Sequence, residues 1–432
     1  MSQSQVIVRT KSDPQPRRTI DSPQGAIPGW DLILSGVNVK TAVWSDAASI
    51  RKRLWDSPAD SAWVSQTLRL GIGTNPPPYT FDVPPGFQAA AINKYIQEDF
   101  VGKDSDHYMS NITAQFGIEG AYGGFSGTLK AQFGMAEEMT QAYSFGTHTE
   151  RWQLYSLKSP ADLDYSSQLL NEQFRAELYG DKAMPVKDFY DKWGTHFTSD
   201  ILIGGSASLS VYSLYSSTYD SQTFKADLTL AYASIAAKFQ TTGDFSYDSE
   251  SSKETYQSST SLVLQGGDPT SVNPTAPNPM QNWLATVPTF PAFIDFNSED
   301  GNGLTPMYML IPDESDARRQ ALEQGLQDYL YPPLHLRVFA AASTAAEYPQ
   351  VTVSVPDNYK ILSGGAVASN YVAGELLTGS FPLSATQWFA TAHDAGTEDT
   401  GILTAYAIAV YDPYDWLDVT LVARVIESDR DS

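Results

Sequence analysis

Two segments of this chain each contain two successive runs in which apolar and polar residues alternate. In the first run of each segment the apolar residues occupy even-numbered positions, and in the second run they occupy odd-numbered positions. In the first segment the apolar or small residues stand at even positions up to Tyr122, and after Gly123 and Gly124 they stand at odd positions. The second segment repeats this arrangement, with the change of parity at Ala233 and Ser234. Successive side chains of a strand point to opposite faces, so each segment has the pattern of a β-hairpin with one apolar face.

Alternation by itself leaves two interpretations open. Strands of about ten residues have the length that a tilted β-strand needs to cross a bilayer, and membrane barrels alternate lipid-facing and lumen-facing side chains. An ordinary antiparallel hairpin with one buried and one solvated face shows the same pattern. Residues elsewhere in the chain have to decide between the two.

The composition excludes several classes of protein. The chain has 432 residues, enough for one large domain and a smaller one. Its 27 basic and 50 acidic residues give a formal net charge of -23, which repels phosphate groups and argues against nucleic acid and anionic lipid as direct partners. Because the chain has no cysteine, it has no disulfide, thiolate nucleophile or thiolate-bound metal.

The sequence also limits how the protein can reach a membrane. The first 19 residues are polar and lack the apolar core of a secretory signal. No run of about 18 apolar residues predicts a membrane-spanning helix. We therefore expect a released or secreted protein without a recognisable signal peptide, which enters a target membrane by β-strands if it enters one.

Local patterns predict helices, a loop and a β-rich C-terminal region. Apolar residues at helical spacing predict helices over residues 88–100, 162–179, 186–193 and 312–331. Repeated prolines predict a loop over residues 270–291. From residue 351 to 426, short β runs separated by glycines predict a compact all-β module. Weakly repeated triplets such as Leu362-Ser363-Gly364 are typical of a β-prism or a trefoil.

These patterns divide the chain into three parts. The first 25 residues are rich in Pro, Ser, Gln and Arg and predict a loose N-terminal arm. Pro332 and Pro333 end the last predicted helix and mark a boundary. We therefore expect an arm at residues 1–25, a large domain at 26–345 and a small all-β domain at 346–432.

A motif lies between the two alternating segments. It reads Tyr190-Asp191-Lys192-Trp193-Gly194-Thr195-His196-Phe197. This resembles the signature of the membrane attack complex/perforin (MACPF) family, an aromatic residue followed by Gly-Thr-His and a second aromatic, with Trp193 where Tyr or Phe is commoner. Ile203-Gly204-Gly205 resembles the strand start that follows in the family, and residues 265–269 resemble its glycine pair near the bend of the central sheet. The resemblance covers residues 30–334.

The resemblance implies a fold and a function. The fold is α+β, a bent four-stranded antiparallel sheet with flanking helical clusters, as in MACPF proteins and cholesterol-dependent cytolysins, followed here by the small β domain. The function is that of a pore-forming toxin: a soluble monomer binds a target membrane through a lipid, glycan or protein receptor and assembles into a homo-oligomeric ring. Clusters at residues 111–137 and 224–249 then become transmembrane β-hairpins. The expected protein is a bacterial toxin of the insecticidal type.

The alternation then assigns faces to the two segments, because a closed barrel pairs all backbone groups between strands and separates lipid from lumen. The predicted lipid-facing residues are Ile112, Phe116, Ile118, Tyr122, Phe125, Leu129, Phe133, Leu228, Leu230, Tyr232, Ile235, Phe239 and Phe245. The predicted lumen-facing residues are Gln115, Glu119, Thr128, Lys130, Asp227, Lys238 and Asp244.

Three further residues receive roles from the resemblance. Gly266 and Gly267 can adopt backbone angles closed to other residues and suit a sheet bend that must straighten; an ordinary turn or bulge is the alternative. His196 is expected to be a hydrogen-bonded core histidine and not a general base.

Other functions stay open. The five histidines are dispersed, and no metalloprotease, nucleophile-elbow or phosphate-loop motif is present, so we expect no enzyme, metal or cofactor. A family member that binds a membrane or receptor without perforating it is the main alternative, since fold does not fix function. In the C-terminal module, the aromatic residues Tyr406, Tyr411, Tyr414 and Trp416 form a candidate receptor site, or else simply belong to the core.

Overall fold

The computed structural model describes most of the chain. The described residues are 7–11, 25–39, 47–57, 59, 62–71, 73–116, 133, 143–214, 220–242, 261–268, 271, 279–299, 303–330, 335–369, 375–394 and 400–412. The chain divides into two compact units, Met1–Leu326 and Gln327–Ser432.

The first unit combines strands and helices. Its strands are β1 Ile7–Lys11, β2 Ser35–Val37, β3 Ile50–Arg53, β4 Val64–Arg69, β5 Pro78–Val83, β6 Gln88–Gly102, β7 Tyr143–Lys158, β8 His196–Thr198, β9 Asp200–Leu214, β10 Ser261–Gln265, β11 Ala292–Phe296 and β12 Leu304–Pro306. The α-helices are α1 Ser105–Thr113, α2 Glu172–Leu178, α3 Val186–Trp193, α4 Ser221–Thr242, α5 Pro279–Thr286 and α6 Ala317–Leu330, the last of which crosses the division between the units.

A large sheet organises this unit. Its strands follow the order β1-β10-β9-β7-β6, and β11 pairs with β9 beyond the end of β10. The four strands β10, β9, β7 and β6 are antiparallel to their neighbours, whereas β1 lies parallel to β10. This confirms the α+β class and the four-stranded antiparallel core expected from the sequence.

Buried charges join three strands of the sheet. The guanidinium group of Arg151 on β7 pairs with Glu98 on β6 and lies 2.6 Å from the Asp295 carboxylate on β11. Arg151 and Asp295 are both buried. Removing one of these charged side chains would leave the others buried and unpaired. The group of buried charges therefore fixes the lateral order of the strands.

The helix predicted over residues 88–100 is wrong, because these residues form β6. The pairing of β6 with β7 shifts register between Ala91 and Lys94, and Asn93 has a positive φ of 51°. Such a bulge changes which residues face each side of the sheet. The two-residue period is therefore interrupted, and the apolar residues fall at a spacing that imitates a helix.

Two other local predictions need correction. The predicted loose arm contains β1, which is paired along its whole length. The proline-rich stretch predicted as a loop contains helix α5, which begins at Pro279. Proline is well suited to the first turn of a helix, because its missing N–H would have no partner there in any case. The helix predicted at residues 186–193 is confirmed as α3, and that predicted at 312–331 as the shorter α6.

The second unit contains two three-stranded sheets. Its strands are β13 Leu336–Ala342, β14 Gln350–Ser354, β15 Tyr359–Ser369, β16 Glu375–Ser384, β17 Gln387–Asp394 and β18 Ile402–Tyr411, in the orders β13-β18-β15 and β14-β17-β16. Their shared core is rich in alanine, and Trp388 packs directly on Gly364. The predicted all-β module is therefore present, while its classification as a prism or trefoil stays a prediction.

Candidate functional site

Two long connections leave the same end of the central sheet. The first runs from the end of β6 at Gly102 to the start of β7 at Tyr143, and the second runs from the end of β9 at Leu214 to the start of β10 at Ser261. Gly102 pairs with Phe145, and Tyr143 pairs with Leu214, so these strand ends are neighbours. Each connection joins two adjacent antiparallel strands and is longer than two strands of about ten residues and a turn. Either connection can therefore extend the sheet as a hairpin without a change of topology.

The first connection begins with α1, which packs closely on the sheet. Asp104 caps the helix by accepting a hydrogen bond of 2.9 Å from the backbone N–H of His107. Tyr108 is buried against Gly102, where any side chain would collide with the Tyr108 backbone. Its hydroxyl shares a hydrogen bond of 2.7 Å with Thr147 on β7. The glycine therefore allows the helix to lie directly on the strand from which it leaves.

Aromatic residues complete the docking of this connection. Phe133 is buried and packs edge-on against Tyr108 and Phe145, at centroid distances of 5.3 and 5.1 Å. Ile112 is also buried, and Gln115 is half-buried. Of the predicted lipid-facing residues, Ile112 and Phe133 thus lie in the protein core in this structure.

The second connection contains α4, which rests on Gly146 of β7. A β-carbon added to Gly146 would lie 2.7 Å from Phe224 and 3.2 Å from Leu228. Phe224, Leu228 and Tyr232 are buried and follow one another at four-residue spacing, which places them on one face of the helix. The absence of a side chain at Gly146 therefore lets the buried face of α4 approach the sheet.

Leu230 does not belong to that buried face. It is 68% exposed, although it belongs to the same alternating apolar set as Leu228 and Tyr232. A spacing of four is compatible with one face of a helix and also with one face of a strand, whereas a spacing of two is compatible only with a strand. The apolar character of Leu230 therefore matches an extended conformation of this segment better than its helical one.

A row of cross-strand pairs faces α4 from the sheet. Asp99 is directly opposite His148, Gln97 opposite Glu150, and Tyr95 opposite Trp152. The three pairs make close contacts: His148 Nδ1 lies 2.7 Å from Asp99, Gln97 donates to Glu150 over 2.9 Å, and the rings of Tyr95 and Trp152 are 5.3 Å apart. Directly opposed side chains of this kind stabilise a sheet and fix its register.

The helix binds to this row through two polar side chains. The Tyr232 hydroxyl donates to Glu150 over 2.9 Å, and its ring packs on His148 with a centroid distance of 4.4 Å. The Thr229 hydroxyl donates to Asp99 over 3.3 Å. A cavity of about 270 Å³ lies beside these contacts, lined in part by Trp152 and by Met280 of α5.

The pKa of His148 depends on the charged groups around it in this row of cross-strand pairs, which together form a polar cluster beneath α4. Burial on its own would lower the pKa of His148, but hydrogen bonding and attraction to Glu150 and Asp99 outweigh it and raise the pKa above its usual value. Burial on its own would raise the pKa of Glu150, but hydrogen bonds from Tyr232 and Gln97 and the neighbouring His148 outweigh it and lower the pKa. Mainly because of burial, the pKa of Tyr95 rises to about 12, and that of Tyr232 is also raised. The charged imidazolium is therefore the form that the cluster stabilises.

Sequence reasoning missed this cluster. The available signal was a run of polar and ionisable residues in the interior of a long strand, from Thr147 to Arg151 on β7. His148 and Glu150 are two positions apart and therefore share a face. Their partner Asp99 could not be found, because the bulge in β6 hides its strand periodicity.

Gly266 and Gly267 follow the end of β10, at the place where β9 stops pairing with β10 and its pairing with β11 begins. β10 pairs with β9 as far as Ser206, and β11 resumes the pairing at Gly204. Both glycines have positive φ values, 71° and 69°, which other residues rarely adopt. The buried Trp283 of α5 donates a hydrogen bond of 2.8 Å to the Gly266 carbonyl, so α5 covers this turn.

The signature motif joins the end of α3 to the small sheet β12-β8-β2-β3. Trp193 donates to Glu177 over 2.8 Å, and Gly194 turns the chain with a φ of 99°. The Thr195 hydroxyl donates to the Val37 carbonyl over 3.2 Å and accepts from the Val39 N–H over 3.1 Å. These contacts hold the β2 segment against β8.

His196 and Phe197 extend the motif into β8 and are both buried. The imidazole Nδ1 of His196 is 3.0 Å from the Thr195 hydroxyl. Burial lowers the pKa of His196 to about 3, which keeps the ring neutral at physiological pH. This environment suits a structural role.

The candidate receptor aromatics do not form one site among the described residues. Tyr406 is 38% exposed, and Tyr411 is half-buried against Tyr359 at a centroid distance of 5.3 Å. Tyr406 and Tyr411 are an odd number of positions apart on β18, so their side chains leave opposite faces. Tyr414 and Trp416 lie outside the described residues.

The other predicted pore residues divide into three groups. Asp227 is half-buried on α4. The backbone is described, without the side chain, for Phe116, Ile235, Lys238 and Phe239. The following lie outside the described residues: Ile118, Glu119, Tyr122, Phe125, Thr128, Leu129, Lys130, Asp244 and Phe245. No described helix is both long and apolar enough to cross a bilayer.

An antiparallel sheet with two helix-containing connections between its strands, and a buried Trp-Gly-Thr-His-Phe motif between those connections in the sequence, define the perforin-like class of fold. The MAC/Perforin domain model matches residues 86–332, more than half of the sequence, so the chain belongs to the MAC/Perforin family. This family consists of pore-forming proteins, whose members oligomerise and bind membranes and are not known as enzymes.

Individual relatives are more distant. Perforin-1 of Rattus norvegicus is 26% identical over 225 residues, which are 46% of this chain and 39% of that protein, so the match spans less than half of its length. The crystal structure of GNIP1Aa from Chromobacterium piscinae has a TM-score of 0.53 at 17% identity and covers 90% of this chain and 71% of that one. A protein with a MAC/Perforin domain from Bacteroides thetaiotaomicron has a TM-score of 0.47 at 15% identity, covering 74% and 64%.

Proposed function

We propose that this chain is the subunit of a pore-forming toxin. The monomer binds a target membrane, assembles with other copies into a ring, and converts the connections at residues 111–137 and 224–249 into transmembrane β-hairpins. Residues 26–345 act as the pore-forming domain. Residues 346–432 act as the receptor- or membrane-targeting domain, where a lipid, a glycan or a protein is bound. The toxin is released by its producer and is of the insecticidal type.

The main observation in support of this proposal is that the apolar residues of α4 fit the periodicity of a helix and also that of a strand. Phe224, Leu228 and Tyr232 bury one face of the helix, and the same residues share one face of a strand with the exposed Leu230. A segment selected only for a helix has no need of an apolar residue at the solvent-exposed position 230. A segment selected for both states does.

The packing on glycine supports conversion. α1 and α4 rest on Gly102 and Gly146 without interlocking side chains from those positions. α1 lies between β6 and β7 in the sequence, and α4 lies between β9 and β10. These strands already run in the directions that the two hairpins require. In a closed barrel the new strands pair every backbone group, which explains why assembly precedes insertion.

The glycine pair has a role in the same event. Gly266 and Gly267 interrupt the line from β10 to β11, and we assign them as the hinge of the sheet bend. Glycine accepts both the positive φ values of the bent state and the extended values of a straight strand without steric cost.

A non-lytic protein that only binds a membrane or receptor is the second candidate, because members of one fold differ in function. The alternation of both connections favours the lytic function. Release of a trapped dye from vesicles distinguishes the two.

A disulfide across the α4 contact tests the proposal. The side chains of Asp99 and Thr229 approach within 3.3 Å, and the chain has no other thiol, so D99C/T229C offers one defined cross-link. The oxidised variant should form rings on vesicles of phosphatidylcholine and total insect-cell lipid but release no dye, and reduction should restore release. D99C and T229C alone are the matched controls. Full release by the oxidised protein, with the cross-link confirmed by mass spectrometry, contradicts insertion of this segment.

A further inference from the structure

The cavity beside the polar cluster lies between four elements of the first unit. Its volume is about 270 Å³, and it is lined by residues of β6 and β7 on the side of the sheet and by residues of α4 and α5 on the side of the helices. Ligand sites in proteins are concave and mostly apolar, with a few polar groups at fixed positions. The cavity is close to the lower end of the size range of such sites, so it fits a small molecule.

The walls of the cavity are apolar and aromatic. Trp152 of β7 is held on two sides, by the ring of Tyr95 at a centroid distance of 5.3 Å and by that of Trp283 at 5.5 Å. The other apolar and aromatic wall residues are Tyr232 and Ala233 of α4 and Met280 and Leu284 of α5. Because these rings are already fixed by their neighbours, a ligand does not have to order them on binding.

The charge beside these walls is negative. Among the described residues that line the cavity, Glu150 is the one carboxylate, and neither a lysine nor an arginine is present. His148 also lines the cavity, with its Nδ1 atom 2.7 Å from Asp99. If the imidazole is charged, Asp99 balances it and the charge of Glu150 remains; if it is neutral, both carboxylates remain. The net charge of these three groups is therefore negative in both states of His148.

An aromatic wall beside a carboxylate attracts an organic cation, because the face of a Trp or Tyr ring carries partial negative charge. The hydrogen bonds of Glu150 then restrict the kind of cation. One carboxylate oxygen accepts from Gln97 and the other from Tyr232, each over 2.9 Å. A primary ammonium group brings three N–H donors that need acceptors of their own. A quaternary ammonium ion has no donor and interacts through its charge and its methyl groups, so it fits this carboxylate better.

The same charges argue against the headgroup of a phospholipid. A phosphocholine group joins the quaternary cation to a phosphate, and phosphate is bound in proteins mainly by arginine, lysine and backbone N–H groups. The described lining of the cavity offers no arginine or lysine, and Glu150 repels a second anion. A free organic cation is therefore the better match.

We propose that this cavity binds a small, free quaternary ammonium compound, with the cation between the Glu150 carboxylate and the ring of Trp152. The bound compound contacts the sheet on one side and α4 and α5 on the other, so it also holds α4 in its docked position. A ligand that binds only one of two states stabilises that state in proportion to the logarithm of its concentration over its dissociation constant. The site goes beyond the proposed function and does not depend on it.

Calorimetric titration of the folded full-length protein with choline tests the site. The matched neutral molecule is the alcohol in which carbon replaces the quaternary nitrogen, and it should bind at least about tenfold more weakly than choline because it keeps the shape and loses the charge. Ethanolamine and phosphocholine should also bind more weakly than choline. Equal affinity for the neutral alcohol, or binding of phosphocholine as tight as that of choline, overturns the proposal.

Two exposed positions one turn apart on α5 provide the variants. Gln281 lines the cavity, whereas Ala285 does not. Gln281→Lys should weaken the binding of choline at least about tenfold, because it brings a positive charge to the rim, and Ala285→Lys should leave it nearly unchanged. Glu150→Gln should weaken binding as well, with its fold checked by circular dichroism; if it does not fold, Gln281→Lys decides. Equal affinity of Gln281→Lys and the unmodified protein places the ligand elsewhere and overturns the proposal.

Hydrogen exchange tests whether the ligand holds α4. Choline at ten times its dissociation constant should raise the protection of residues 221–233 about tenfold in the unmodified protein. The same concentration should have little effect on Gln281→Lys. Binding without added protection of α4 contradicts the holding role. Both experiments use the monomer without membranes, so a failure of pore formation leaves their outcome unchanged, and their failure leaves the pore function standing.

Discussion

The imidazole ring of His148 on β7 packs against the phenol ring of Tyr232 on α4, with ring centroids 4.4 Å apart and planes inclined at 42°. His148 is only 2% exposed, and each of the two residues bonds to a carboxylate of the sheet, Asp99 or Glu150. The second connection is therefore held to the sheet by a polar, aromatic contact as well as by apolar packing. A contact of this kind makes the stability of the docked helix dependent on pH.

The folded state around α4 should lose stability as the pH rises. The pKa of His148 is raised in the folded protein, so its contribution is fully present below its ordinary pKa of about 6.5 and is lost as the pH passes through the raised value. Tyr95 and Tyr232 keep their protons there because their pKa values are raised, and Glu150 stays ionised because its pKa is lowered. The protection of residues 221–233 against hydrogen exchange, corrected for the intrinsic exchange rate at each pH, should therefore fall as the pH rises above about 6.5.

His148→Gln provides the control for this pH dependence. It keeps a polar side chain but removes the titration, so the protection of α4, corrected for the intrinsic exchange rate, should be lower at low pH and nearly independent of pH. Arg151, which pairs with Glu98 and Asp295, is unchanged in this variant. An unchanged pH profile in His148→Gln would assign the effect to another group.

Gly146→Val should loosen α4 by overpacking. The added β-carbon would lie 2.7 Å from Phe224, and overpacking of a core commonly costs about 1–3 kcal/mol. We expect faster exchange in α4 and dye release at lower protein concentration. Gly365→Val is the matched control, because Gly365 also lies in a strand and a β-carbon there meets nothing within 4 Å. Equal effects of the two substitutions would mean that Gly146 is not the support of the helix.

Thr195→Val should destabilise the first unit without altering the properties of pores. Valine has a similar shape but leaves the Val39 N–H and the Val37 carbonyl without the hydroxyl, which costs about 1–3 kcal/mol for a buried group. Denaturant unfolding measures the loss, and the exposed Thr352→Val serves as control. Altered ion selectivity in Thr195→Val pores would contradict a purely structural role of the motif.

The sequence predicted the framework of the fold better than its local elements. The signature motif from Trp193 to Phe197 and the alternating segments could be recognised because they depend on short, regular spacing. β6 was mistaken for a helix because the bulge at Asn93 breaks that spacing. β1 could not be predicted, because five residues carry no clear period and their partner lies at Ser261–Gln265, far away in sequence.

The candidate site was predictable only in part. The sequence predicted that Leu228 and Tyr232 share one apolar face of a strand, and the structure shows that they share a buried helical face with Phe224. It gave no indication that Gly146 supports them, or that His148 and Asp99 meet across two strands. Those relationships depend on strand register, which becomes visible only when the sheet is assembled.

The most direct test of the account compares Leu230→Lys with Thr229→Lys. Both positions are exposed on α4, and although Thr229→Lys loses the 3.3 Å hydrogen bond to Asp99, both variants should fold and bind membranes like the unmodified protein. In an inserted strand, position 230 faces lipid, where a charge costs up to about 2–4 kcal/mol per subunit, and position 229 faces the lumen. The cost is repeated in every subunit of the ring.

The decisive measurement is ionic current across planar bilayers, recorded for both variants at equal amounts of membrane-bound protein. We expect Leu230→Lys to form no conducting pores. We expect Thr229→Lys to form pores whose selectivity is shifted toward anions. Conducting pores of equal frequency from the two variants would contradict the conversion of α4 into a transmembrane β-hairpin.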